Sequence, residues 1–432
     1  MVVIGAEAEV VVVGGGPAGF ASAIAASRNG AQVLLIERYG FLGGTATAGL
    51  IGCMHGWGWG DGRVVQGIAH ELVERLLKAG GTPGYLSYWK SHPGLAGITY
   101  VPYDPEMMKR IMLEMVEEAK IDLLLHSLAF DAIIKGQEVK GVEVQTKSCR
   151  QLVLGDIVID ATGDGDVAVA AGVPYEIGRK EDGSIQPVSL MFRMGNVDVD
   201  ALLEWREQEV SKKPNLIASG GFLPEGFPVK GAFAFFYTRK NEVIILATRI
   251  SGINGTNVED LTRAEIEARK QVVEVVDFLK KNVPGFSSSY LIDTAVQVGI
   301  RETRRIIGEY VLSANDIVTG ARFNDVVAKG VYPIDIHKSS DSGITFVRSK
   351  PYDIPFRCLL PLKIDNLLVA GRCISTTHEA HASTRVIATC MATGQAAGTA
   401  AALAVRDKLP PKRLNISLLQ KAMIEQGCWL NL

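Results

Sequence analysis

"EVVVVGGGPAGFASAIAASRNGAQVLLIER" (residues 9–38) is the stretch that decides the fold. Residues 10–13 are four consecutive valines, a β-branched run suited to a strand buried on both faces. Three glycines follow, then Pro17 at a favoured first-turn position and a run of small residues that reads as a helix. "AQVLLIE" (31–37) is a second buried strand, and it ends in a carboxylate. Strand, helix and strand make a βαβ unit. Inside it, Gly14-x-Gly16-x-x-Gly19 has the spacing of a dinucleotide fingerprint. Gly14 permits the tight turn, Gly16 lets backbone approach a pyrophosphate, and Gly19 lets the helix pack on the strand. Pro17 and Ala18 open the helix, whose N-terminus offers amide donors and the positive dipole end to phosphates. Glu37, 18 residues after Gly19, is placed to accept hydrogen bonds from ribose hydroxyls.

Outward from this unit, the chain of 432 residues has room for two or three domains. Its composition is 47% hydrophobic and 21% charged, ordinary for a globular protein. A net charge of −2 gives no electrostatic case for nucleic acid or an anionic membrane surface. No uninterrupted apolar run reaches the length of a membrane span, so no membrane is expected. The apolar start reads as a buried first strand and not as a signal peptide. Six cysteines without a C-x-x-C pair argue against a disulfide framework or a zinc ribbon and for a reduced, cytoplasmic protein. Neither monomer nor homo-oligomer is favoured.

"DPEMMKRIMLEMVEEAK" (104–120) has Asp104 as N-cap, Pro105 at N1 and apolar residues at helical spacing. "GDIVIDATGDGD" (155–166) and "IDNLLVAG" (364–371) each read as a buried strand leading into a small-residue turn. The glycine-rich 41–62 reads as a close-approach loop, with "CMHGWGWGDG" (53–62) open to a lid or a surface role. "DLTRAEIEARKQVVEVVDFLKKN" (260–282) is a long amphipathic helix. The expected fold class is α/β. A Rossmann-like nucleotide-binding domain is made of 1–185 and 345–432, and an α+β substrate or cap domain, 186–344, is inserted between.

The segments "GFLGGTAT", "IDATGDGD" and "NLLVAGRC", with the block "GRCISTTHEAHASTRVIATCMATGQAAGTAAA" (371–402), resemble the glutathione-reductase-type flavoproteins. The resemblance is closest to FAD-dependent oxidoreductases related to fumarate reductase and succinate dehydrogenase flavoproteins, and it covers essentially the whole chain. It implies FAD as cofactor. Gly14, Gly16, Pro17, Ala18 and Gly19 would hold the pyrophosphate, and Glu37 with Arg38 the adenosine end. Gly43, Gly44 and Thr45 would follow the pyrophosphate toward the isoalloxazine, while Ala161, Thr162 and Gly163 lie near adenine and ribose. Gly371 and Arg372 would meet the ribityl region, although many relatives have an acid where Arg372 stands. Val386 and Ile387 would begin a helix facing the flavin. Covalently flavinylated relatives carry a histidine in the segment matching "GGTATAGL"; none is present, so FAD is expected to be non-covalent.

His378, His381 and Arg385, between the last FAD strand and that helix, are candidates for substrate binding and proton transfer; a structural role fits them as well. H-E-x-H is not the H-E-x-x-H zinc pattern, and no metal is expected. Arg301, Arg304 and Arg305 in "GIRETRR", and Arg357 in "IPFRCLLP", are further substrate candidates, with Arg301 taken for the site; solvated faces or intrachain ion pairs are the alternative. The expected activity is hydride transfer between FAD and a small molecule, of which a carboxylate is one option, with an unidentified electron donor or acceptor. The alternatives are an NAD-dependent dehydrogenase and a non-catalytic escort or binding protein on the same fold.

Overall fold

The computed structural model describes residues 3–60, 62–88, 94–212, 226–229, 234–339 and 343–431. The largest sheet runs Asp122–Leu124, Val33–Ile36, Val3–Val13, Arg150–Asp160, Glu138–Gln145, Leu128–Lys135, with Leu367–Val369 also paired to Arg150–Asp160. The pairs among the first four of these strands, and the pair with Leu367–Val369, are parallel. The two outer strands form an antiparallel meander. Val10, Val11, Val12 and Val13 are at most 3% exposed, each contributing roughly 1.5–3 kcal/mol through burial. The continuous valine run is therefore a consequence of helices and strands covering both faces.

Register places the site. Val13 pairs with Ile36 and with Asp160, and Asp160 pairs with Val369. Four parallel strands thus end level with one another, and the turns that follow them emerge on one edge, where ligands bind in open α/β sheets. The helix Pro17–Arg28 packs along the helix Ile387–Asp407, so the two ends of the chain close one layer.

A second hydrophobic core is built from residues between 188 and 298 together with Leu50. There the sheet Ala234–Arg239, Glu242–Leu246, Phe192–Gly195, Tyr290–Thr294 is covered by the helix Val258–Asn282, through Ala264, Ala268, Val272, Val275 and Leu279. Ile306, Leu312, Ile317 and Val326–Ala328 belong instead to the first core.

One segment differs from the sequence expectation. Within 41–62, Cys53–Trp59 is a strand in a third sheet, ordered Gly62–Arg63, Cys53–Trp59, Ile98–Pro102, Leu86–Ser87. Glycines there suit close packing and not looseness: a Cβ on Gly56 would stand 2.9 Å from Val386 Cγ2. Trp57 is fully buried, its indole N–H donating to the Met54 carbonyl at 3.0 Å, so it is core and no lid. The stretch 371–385 contains a short helix, His378–Thr384, whose N-cap Thr377 accepts from the Ala380 amide.

Among the described residues no single helix is long and apolar enough to cross a membrane. His378–Thr384 and Ile387–Asp407 satisfy length and composition only as a pair, bent by 92°, and both are largely buried in the protein.

Candidate active site

A cavity of about 720 Å³ opens along the level strand ends. Its first half is built by the glycine turn. Gly14 has φ +96°, and a Cβ there would meet the Ala161 carbonyl oxygen at 2.6 Å. A Cβ on Gly19 would meet the Gly14 carbonyl oxygen at 1.7 Å, so helix and strand touch backbone to backbone. Gly16 caps the helix Pro17–Arg28 without any side-chain cap, and Gly16, Pro17 and Ala18 face the cavity. Glu37 is 5% exposed; its carboxylate accepts from the Gly15 amide at 2.7 Å and the Tyr39 amide at 2.8 Å. Burial raises its pKa, an effect these two amides partly offset.

Neighbouring turns complete this half. Gly44, Thr45, Ala161, Thr162 and Gly163 line it, together with Gly371 and Arg372. Asp160 fixes the 161–166 turn, with Oδ1 accepting from the Thr162 amide and hydroxyl and Oδ2 from the Ala168 amide. Arg372 is committed to Asp164 at 2.7 Å and to Thr303 Oγ1 at 2.9 Å. Farther along, the helix Ile387–Asp407 points its N-terminus, Val386 and Ile387, into the cavity, also without a side-chain cap. Two uncapped helix N-termini beside glycine backbone form a cradle for an extended phosphate-bearing ligand. The residues fit FAD.

The second half has an aromatic wall and a charged corner. His55 faces Tyr100, and Tyr100 faces Leu86, across three adjacent strands. All three residues line the cavity, and Cys53 with Pro102 forms the next row on the same face. His55 Nε2 lies 2.7 Å from the Tyr88 hydroxyl and 3.8 Å from Cys53 Sγ. Tyr332 sets its ring edge-on to His55, with centroids 5.7 Å apart. Burial pushes the Cys53 thiol well up, so it stays protonated.

In the corner, Arg301 Nη1 donates to the Pro187 carbonyl at 2.7 Å and to Ser189 Oγ at 3.0 Å, and pairs with no carboxylate among the described residues. Burial and the neighbouring Arg385 push it down to about 9, still charged at neutral pH. Arg385 Nη2 donates to the Asp335 carbonyl at 3.0 Å and lies 3.6 Å from Asp335 Oδ2, while its Nε is buried without a partner. Burial alone would raise the Asp335 carboxyl, but His337, Arg385 and Arg301 together hold it below the usual carboxylate range. Burial and Arg301 push His337 down to about 4, leaving it neutral near pH 7.

Most residues singled out in the sequence line this cavity, Arg38, Arg301 and Arg385 among them. Gly19 and Gly43 stand behind its wall as backbone supports: the Gly43 amide donates to the Gly15 carbonyl at 2.9 Å. His378 and His381 do not reach the cavity. His378 Nδ1 pairs with Glu302 at 2.8 Å, and His381 is fully buried with neither ring nitrogen hydrogen-bonded. Both lie on a helix turned into the core, which removes them as proton donors to a ligand. Arg305 is likewise occupied by Glu302, Arg304 by Asp166, and Arg357 by Asp325. His55, Tyr88, Asp335 and His337 line the cavity but were missed. "IDIH" (334–337) did carry a signal, since alternation puts Asp335 and His337 on one strand face.

Among the described residues no group of three or more His, Cys, Asp or Glu is arranged to hold a metal ion. No curated protein matches the sequence. Among solved structures, the chain is similar to a geranylgeranyl bacteriochlorophyll reductase-like protein from Thermoplasma acidophilum. The two share 16% identity at a TM-score of 0.53, over 98% of this chain and 84% of that one. The flavin-dependent brominase Bmp2 is more distant, with 13% identity and a TM-score of 0.46 over 97% of this chain and 83% of that one. At such identity the first likeness speaks for the mixed α/β fold alone. The family model described as FAD dependent oxidoreductase matches residues 9–423. The chain belongs to the FAD-dependent oxidoreductase family: it is an enzyme, and its cofactor is FAD.

Proposed function

We propose that this enzyme binds FAD non-covalently, in a glutathione-reductase-type arrangement, and transfers hydride between it and a carbon of a small anionic molecule. The observation that carries this reading is the charged corner: two guanidiniums, Arg301 and Arg385, stand against one carboxylate, Asp335, in the cavity that also holds the glycine turn. With His337 neutral, that corner carries a net positive charge and suits a carboxylate.

FAD, once bound, supplies the hydride acceptor or donor. Gly16 and Ala18 would hold its pyrophosphate, Glu37 a ribose, and the Val386–Ile387 helix end the negative charge of the reduced ring. Arg301 and Arg385 would orient the substrate by its anion. His337, neutral near pH 7 and lining the same cavity, would be the nearest side chain able to take a proton from the bound substrate. We assign 1–185 and 345–432 to the cofactor domain and 186–344 to the substrate side, which contributes Arg301, Asp335 and His337.

The test is the visible spectrum of the purified protein before and after acid denaturation, followed by anaerobic mixing with small carboxylates. Released flavin and bleaching by a carboxylate, lost in Arg301→Gln, would support the reading. Flavin that stays on the precipitate, or bleaching indifferent to Arg301, would reject it.

A further inference from the structure

The aromatic wall adjoins the charged corner: Tyr332 donates its hydroxyl to Asp335 Oδ2 at 3.1 Å, and its ring stands edge-on to His55. Three strands meet there in register, so that Leu86, Tyr100 and His55 form one row on the cavity face of the sheet. The Tyr88 and Tyr100 ring centroids are 4.4 Å apart, and His55 lies 5.8 Å from Tyr88 with the planes within 12°. Tyr332 closes the group edge-on from another segment. Position relative to the cofactor end is fixed by Gly56: a Cβ there would lie 2.9 Å from Val386 and 3.4 Å from Tyr332. The ring cluster therefore abuts the helix end assigned to the flavin.

Simple apolar filling does not need this arrangement. Leucine or valine would line a hydrophobic chamber, whereas flat, polarised faces and edges favour a flat, polarised guest. The tyrosines are also stiff, with few rotatable bonds, so little ordering is required when a ring docks on them. We propose that the substrate is an aromatic carboxylate, its ring against the His55–Tyr100 wall and its carboxylate on Arg301 and Arg385. The proposal rests on the anion reading of those two arginines. It adds a ring requirement that the charged corner alone does not impose.

The experiment titrates the FAD-loaded protein with benzoate, cyclohexanecarboxylate and benzamide, following the shift of the flavin absorption band and, independently, ligand-observed NMR. These probes separate ring from charge. Benzoate is expected to bind roughly three- to tenfold tighter than cyclohexanecarboxylate, the worth of one good aromatic contact. It should also outbind benzamide. Tyr100→Leu keeps the wall apolar and should erase the difference between benzoate and cyclohexanecarboxylate. Should that variant not fold, the wild-type panel decides alone. Equal affinity for the two carboxylates overturns the ring requirement while leaving the anion reading intact. Benzamide binding as well as benzoate overturns the aromatic-carboxylate proposal through its anion half. Failure of all three probes to bind at millimolar concentration overturns it altogether.

Discussion

Replacing Gly398 with Ala tests how the two chain ends are joined. A Cβ at 398 would lie 2.0 Å from the Ser22 carbonyl oxygen, where an ordinary contact needs about 3.4 Å. One turn earlier, a Cβ at Gly394 would stand 2.2 Å from the Ala18 carbonyl oxygen. The helices thus meet along a glycine seam, fastened by Ser22 Oγ donating to the Gly394 carbonyl at 2.9 Å. Gly398→Ala must push the helices apart by more than an ångström. Overpacking costs about 1–3 kcal/mol and loss of the Ser22 bond about 1 kcal/mol. The better helix propensity of alanine returns about 1 kcal/mol. The expected net loss is about 1–3 kcal/mol, with weaker FAD binding because Ala18 lies in the displaced turn. Urea unfolding of the FAD-loaded protein and flavin fluorescence titration would measure both. Gly172→Ala is the control: it is exposed, has φ +75° and nothing within 4 Å, and should lower stability modestly without touching FAD affinity. A Gly398→Ala protein with wild-type stability and FAD affinity would refute the seam.

Other outcomes follow from the site. Glu37→Gln removes a charged acceptor from two amides and should weaken FAD binding roughly ten- to a hundredfold, read by fluorescence. Arg301→Gln should loosen benzoate by a similar factor, while Arg357→Gln, already paired with Asp325 near the surface, should not. Because the pKa of His337 is depressed in the fold, the unfolded chain takes up its proton first on acidification. Stability should therefore fall as pH drops from about 6.5 to about 4, by a few kcal/mol at most, and His337→Gln should flatten that slope in urea midpoints. Asp335, held low, acts in the same direction at still lower pH.

The sequence made the nucleotide half legible because each of its features is local. A valine run, a glycine turn and a carboxylate at the end of the next strand are all set within thirty residues. The late strands at 155–160 and 364–371 declared themselves by the same continuous apolar style. The substrate half depends on pairing between distant segments. His55 becomes a wall residue only because Tyr100 lies opposite it, and a glycine-rich strand hides its own periodicity. His378 and His381 misled for the complementary reason. Their polarity suggested exposure to a ligand, yet Thr377 starts a helix that turns both inward, one onto Glu302 and one into the core.

The seam between the first and last helices also orders events during synthesis. Ser22 and Gly394 are separated by 372 positions, so at ribosomal speeds the early helix waits roughly 20–75 s for its cover. During that interval the face of Ala18–Ala26 that the last helix covers stays open, although the helices Ile68–Lys78 and Pro105–Glu118 also pack on it and leave the ribosome early. The flavin cradle is likewise missing a wall until Val386 and Ile387 have left the ribosome. FAD capture should therefore be a late event, and a stalled nascent chain ending near residue 185 should retain no flavin.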